Sequence, residues 1–144
     1  MTTQKLMKDS YLLEEQVGFI LRQVSQRHAA LFMARMGEDI TPMQWAAMAK
    51  LHEVGPTSQN LLGRMTAMDA ATIKGVADRL MKREFIGTTS DALDARRRLI
   101  ALTDEGRAFV LKHYDAAFEI SRETVAPLDP DECKTFIRLL EKLR

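Results

Sequence analysis

A chain of 144 residues with a hydrophobic share of 46% is long and apolar enough for one domain with a core, and is not a disordered chain. No run approaches the roughly 20 apolar residues of a membrane span, MTTQKLMKDS lacks the apolar stretch of a secretory signal, and the lone Cys133 forms no internal disulfide, all of which fit a reducing cytoplasm. The net charge of +1 says nothing about partners, but its distribution does: residues 1–57 are balanced, residues 58–98 hold eight Lys/Arg against five Asp/Glu with Arg96, Arg97 and Arg98 consecutive, and residues 99–144 hold seven against nine.

Residues 10–36 are expected to form one long helix. Tyr11, Leu13, Val17, Ile20, Leu21, Val24, His28, Leu31 and Phe32 follow a helical period, and Gly37 ends it. Thr41-Pro42 opens a second helix with Trp45, Met48, Ala49 and Leu51 on its apolar face, and Gly55-Pro56 stops it. Ser58 caps a short third helix, QNLLGRM, with Leu61, Leu62 and Met65 inward. Thr66 to Met68 then connect to a helix capped by Asp69, whose carboxylate can accept the N–H of Ala71 or Thr72. Ile73, Val76, Ala77, Leu80 and Met81 recur on one face of that helix. Its other face is small and cationic: Ala70, Ala71, Lys74, Gly75, Asp78, Arg79 and Lys82. Two short helices joined this tightly are the outline of a helix-turn-helix.

Phe85 to Thr89 reads as a strand, Asp91 to Arg98 as a polar turn and Leu99 to Leu102 as the returning strand. A hairpin directly after a recognition-type helix is the wing of a winged helix. Thr103 caps the next helix, with Asp104 and Glu105 in its first turn; it runs to about Thr124, with Ala108, Leu111, Phe118 and Ile120 apolar. Leu128-Asp129-Pro130-Asp131-Glu132 restarts a last helix bearing Phe136, Ile137, Leu140 and Leu143. The fold class is therefore mainly α with a small β-hairpin, in one domain over 1–144. Residues 38–103 form the winged helix-turn-helix lobe. Residues 10–36 and 104–144 have no obvious core of their own and are expected to pack across a two-fold axis.

Asp94-Ala95-Arg96, followed by Leu102-Thr103 and Gly106, resembles the wing signature of the MarR family of bacterial transcription regulators. Asp69-Ala-Ala-Thr72-Ile73, with Asp78-Arg79-Leu80 and Arg83, resembles that family's recognition helix. The match covers nearly the whole chain. Two positions depart from the pattern: Ala95 stands where the family often has another arginine, and Glu84 where a glycine usually follows the arginine, so the turn into the wing is expected to differ slightly. Within the family, residues 41–80 are similar to repressors of nicotinate catabolism, which respond to hydroxylated pyridine carboxylates.

The resemblance implies a homodimeric, ligand-responsive repressor of a palindromic operator, with double-stranded DNA, a second copy and a small aromatic acid as its partners, no membrane and no cofactor. Phosphates supply affinity and base edges supply sequence. Ser58, Gln59 and Asn60 at a helix start, with Arg64 and Arg79, are candidate phosphate ligands. Ala70, Ala71, Thr72, Lys74 and Gly75 would face the major groove, where only Thr72 and Lys74 offer donors, so shape readout is expected to matter. Arg96 would enter the minor groove, with Asp94 holding its guanidinium through a bidentate pair and Arg97 and Arg98 beside it. For the effector, a pocket between the lobe and the flanking helices is implied. Its candidates are Tyr11, Arg22, His28, Trp45, Met48, His52, His113 and Tyr114.

Other readings rank lower. No phosphate loop, nucleophile elbow or H-x-x-x-H spacing points to an enzyme or a metal site, although scattered histidines leave a metal-responsive regulator open. A redox sensor would need Cys133, whose acidic neighbours Asp129, Asp131 and Glu132 oppose a thiolate. A winged helix that binds only protein leaves Arg96-Arg97-Arg98 without a use.

Overall fold

Side-chain caps set where every α-helix after the first begins. In a computed structural model that describes residues 10–144, α1 runs Val17–Met36, α2 Pro42–Val54, α3 Gln59–Met65 and α4 Ala70–Lys82. The antiparallel strands β1, Ile86–Ser90, and β2, Arg98–Leu102, follow, then α5, Asp104–Thr124, and α6, Pro130–Lys142. Thr41, Ser58, Asp69, Thr103 and Asp129 each accept the N–H three residues on, and Thr41–Gln44 and Asp129–Glu132 are reciprocal capping boxes. Gly55, at φ +78° and ψ −164°, ends α2 in a conformation essentially reserved for glycine.

The first helix is shorter than its hydrophobic period suggests. Gln16 is extended, and a single 3₁₀ turn, Leu13–Glu15, precedes it. The Gln16 side chain donates to the Leu12 carbonyl at 2.8 Å and closes that turn, so Tyr11 and Leu13 lie outside the helix. Along α5 the inward face is Gly106, Val110 and Ile120; Leu111 and Phe118 are 56% and 63% exposed, not core. The core itself draws on α1 through Phe32 and Met36, on α2 through Ala47, Met48 and Leu51, and on α4 through Ile73, Val76, Ala77 and Leu80. Ile86 and Ile100 close it from the hairpin. α6 buries no side chain.

The recognition unit is closed at both ends by the same backbone device. At the end of α3, the Met68 N–H bonds the Gly63 carbonyl (2.8 Å) and the Ala67 N–H that of Arg64 (3.4 Å). At the end of α4, Phe85 bonds Leu80 and Glu84 bonds Met81, both at 3.0 Å. These are Schellman closures, whose hinge residue takes a left-handed conformation usually given to glycine. Here the hinges are Ala67, φ +56°, and Glu84, φ +60°. The turn into the wing thus keeps the glycine geometry despite Glu84. It also moves the strand start by one residue, because the Phe85 N–H is spent on Leu80 and pairing begins with Ile86 opposite Leu102.

Three elements meet at the base of the wing. The Thr103 N–H donates to the Phe85 carbonyl (3.0 Å), its hydroxyl donates to the Glu84 carbonyl (2.6 Å) and accepts the Gly106 N–H (3.0 Å). Gly106 passes so close that a Cβ there would sit 2.0 Å from the Phe85 oxygen. Thr57 adds a contact not foreseen from sequence: it pairs with Ile100 through two backbone bonds, 3.0 and 2.7 Å, and joins the start of α3 to β2. α1 docks on α5 through Arg27, which donates to the Glu123 and Thr124 carbonyls at 2.6 Å each, and through an Arg35–Glu123 ion pair.

A left-handed non-glycine residue costs about 1–2 kcal/mol. Ala67→Gly and Glu84→Gly should therefore each raise stability by about 1 kcal/mol after the added entropy of the unfolded chain, read from urea midpoints at constant m. Gly106→Ala should do the reverse, costing about 2–3 kcal/mol in the same titration, because backbone must move to admit the methyl group.

Candidate nucleic-acid interface and effector cavity

The fold turns the outer face of α4 to solvent and leaves it nearly bare. Ala70, Ala71, Lys74 and Arg79 are exposed, while Thr72 and Gly75 are half-buried. The two donors expected to read bases are already engaged. Lys74 pairs with Asp78 across one helical turn at 2.9 Å. Thr72 serves the cap: its hydroxyl, and then its backbone N–H at 2.7 Å, hold the Asp69 carboxyl below its ordinary pKa. Arg79 folds back toward Gly75, its Nη1 lying 3.3 Å from where a Cβ would be. Ala71, Thr72, Gly75 and Arg79 form one wall of an open cleft of about 610 Å³. Thr41, Pro42 and Met43 at the start of α2 line it too.

At the start of α3, Ser58 and Gln59 are half-buried and Asn60 and Arg64 exposed, and Ser58 spends its hydroxyl on the Leu61 N–H at 3.3 Å. The wing tip is held by its two aspartates. Asp91 Oδ1 accepts the Leu93 N–H and Asp94 Oδ1 the Arg96 N–H, while Asp91 N–H bonds Arg97 C=O and Arg97 N–H bonds Asp94 C=O, all at 3.0 Å. The expected bidentate Asp94–Arg96 pair is not formed. A single oxygen, Oδ1, serves both the backbone N–H and Nε of Arg96, the latter at 3.3 Å. The Arg96 side chain stays 92% exposed, and Arg97 and Arg98 are exposed beside it.

The effector candidates divide. His28 and Trp45 come together at a cavity of about 200 Å³ where α1, α2 and α5 meet. Phe32, Pro42, Ala117, Ile120 and Ser121 complete its lining, none of them among the effector candidates named from the sequence. Trp45 meets Tyr114 edge-on, and the Tyr114 hydroxyl bonds His52 Nδ1 at 2.8 Å, so these two stand behind the cavity wall. Met48 belongs to the core, fully buried, because its position on α2 points it between the helices. His113 stacks on Phe109 and bonds its carbonyl at 2.8 Å, away from the cavity. Tyr11, 79% exposed before α1, and the exposed Arg22 do not line it either.

The chemistry of His28 follows from its partner. Thr124 gives its one hydroxyl hydrogen to the Ile120 carbonyl (2.7 Å), so it accepts from His28 Nδ1 at 2.8 Å. A neutral His28 then carries its proton on Nδ1 and offers Nε2 as an acceptor; protonated, it offers a donor there. Among the described residues no group of His, Cys, Asp and Glu is placed to hold a metal ion, Cys133 is half-buried, and no helix is long and apolar enough to cross a membrane.

A helix-turn-helix followed by a two-stranded hairpin, with a small-sided recognition helix and a basic wing tip, is a winged-helix DNA-binding architecture. The family model for the MarR family matches residues 40–97, from the start of α2 to the wing tip. The HTH-type transcriptional repressor NicR of Pseudomonas putida is 34% identical over 92% of this chain and 85% of its own. A crystal structure of a probable transcriptional regulator from Pseudomonas aeruginosa is 51% identical with TM-score 0.89, covering 92% of this chain and all of that one. Bordetella bronchiseptica BpsR is 34% identical with TM-score 0.87, over 94% and 97% of the two chains; that structure concerns regulation of its DNA binding by 6-hydroxynicotinic acid. The chain belongs to the MarR family and is a transcriptional regulator, not an enzyme.

Arg96→Ala is expected to weaken binding to all duplexes and to lower the slope of log K against log salt by roughly one unit, since one cation of the expected DNA footprint is removed. An unchanged slope in a salt titration would take Arg96 out of the footprint.

Proposed function

We propose that this protein is a cytoplasmic homodimeric repressor that binds a palindromic operator and is released by a small aromatic carboxylate, a hydroxypyridine carboxylate first of all. The observation that carries the reading is the cavity shared by α1, α2 and α5. It lies between the DNA-binding lobe and the flanking helices, and it is lined by a flat indole, apolar side chains, a serine and a histidine of defined tautomer. A single-ring acid needs a flat apolar slot and one or two directed polar groups. Two proteins each 34% identical to this chain support the effector class, one a repressor by name and one regulated by 6-hydroxynicotinic acid.

Dimerisation is supported by apolar faces that none of the described residues covers. Val17, Ile20, Leu21 and Val24 on α1, Leu111 and Phe118 on α5 and Ile137, Leu139 and Leu143 near the end of the chain are all exposed. A two-fold pair would set the α4 helices about one duplex turn apart, near 34 Å. An effector wedged between α1, α2 and α5 alters that spacing. It lowers DNA affinity by its differential affinity for the two states and by no more.

The test is a mobility shift on the DNA upstream of the protein's own gene at fixed salt, with 6-hydroxynicotinate, nicotinate and benzoate in turn. Release by the hydroxypyridine acid, lost in Trp45→Ala while DNA binding persists, is the expected result. Specific binding that none of the three acids disturbs would overturn the effector assignment.

A further inference from the structure

We propose that Leu93 is a DNA-contacting residue: an apolar side chain carried at the wing tip to pack against the sugar wall of the minor groove beside Arg96. Leu93 is 96% exposed, more than any other large hydrophobic side chain among the described residues. The remaining exposed apolar residues sit mainly on α1, α5 and α6 and the segment before α1, whereas Leu93 stands alone on the hairpin turn. Among the described residues it packs on nothing, so they gain no burial from it.

The turn nevertheless fixes its position. The Leu93 N–H is held by Asp91 Oδ1, and the chain on either side is closed by the Asp91–Arg97 and Asp94–Arg97 backbone bonds. Three residues on, Arg96 is equally bare and is aimed by Asp94. The tip therefore presents an apolar side chain, Leu93, and a cationic one, Arg96, both exposed to solvent and both carried on a hydrogen-bonded turn. That pair matches a minor groove, whose floor carries acceptors and negative potential and whose walls are the C–H surfaces of deoxyribose. Apolar side chains brought into that groove are a recurring means of DNA contact. A protein partner would find here a single leucine on a turn that also carries the exposed Arg96, Arg97 and Arg98, with no other large apolar side chain exposed beside it to exclude water.

The inference rests on the reading that the wing enters a minor groove, and the experiment separates the two. The probe is a duplex selected from a randomised pool by the wild-type protein, bound by wild type, Leu93→Ala and Arg96→Ala across a salt series. Leu93→Ala should weaken binding about fivefold, as expected for a half-buried leucine, with the salt slope unchanged because no phosphate charge is lost. Its thermal midpoint and sedimentation should equal those of wild type. Exchanging I·C for G·C pairs under the wing puts an amino group into the minor groove, and it should penalise wild type more than Leu93→Ala. Wild-type affinity in Leu93→Ala, with Arg96→Ala weakened, would overturn the leucine contact and leave the wing reading intact. Wild-type affinity in both variants would overturn the wing reading itself. A lowered midpoint or altered sedimentation in Leu93→Ala would assign the residue to folding or assembly, and equal penalties on G·C exchange would place it outside the minor groove.

Discussion

The carbonyl groups of Glu84 and Phe85 are the point on which the DNA-binding half turns. The N–H groups of the same two residues close α4, while their carbonyls receive the hydroxyl and the N–H of Thr103, which in turn caps α5. Gly106 makes this possible, since any side chain would collide with the Phe85 oxygen. The spacing Leu102-Thr103-x-x-Gly106 thus has a steric and hydrogen-bonding cause. Recognition helix, wing and long helix share one joint. The aromatic run Phe85–Phe109–His113 stacks across it, and Arg83 lies 4.6 Å over the Phe85 ring. Orientation of the wing relative to α4, on which any simultaneous contact with two grooves depends, is set at this joint.

What was legible in the sequence was local. Thr41, Ser58, Asp69, Thr103 and Asp129 announce their helices because a cap needs only the three residues that follow it. The buried face of α4 was legible for the same reason, one period on one helix. Gln16 was not, because its side chain replaces a helical hydrogen bond without disturbing the apolar period around it. Which of the apolar positions of α5 turn inward was not legible, since Leu111 and Phe118, exposed, and Ile120, buried, are equally apolar in the sequence. The Thr57–Ile100 pairing joins residues 43 positions apart and left no pattern. For the cavity, His28 and Trp45 were identifiable as polar and aromatic exceptions; Phe32, Ala117 and Ile120 were ordinary apolar positions, distinguishable only once α1, α2 and α5 were seen together.

The Arg27 clamp shows how α1 is tied to the rest. Its guanidinium occupies the two last carbonyls of α5, where the helix dipole favours a cation. His28 engages Thr124 in the same turn, so the polar wall of the cavity and the α1–α5 joint are made by adjacent residues. A change in the hydrogen bonding of His28 is therefore felt at the joint without any relay through the core.

The bareness of α4 has a corollary for redesign. Ile73, Val76, Ala77 and Leu80 hold the helix from one side, and the outward positions Ala70, Ala71 and Gly75 contribute nothing to that packing. A side chain at Gly75 would meet only the flexible tip of Arg79. These three sites are blank in the sense that an arginine, asparagine or glutamine at any of them would displace no packed core side chain. Substitution there is thus separated from the packing of α4 against the core, and the same positions are where a designer would begin.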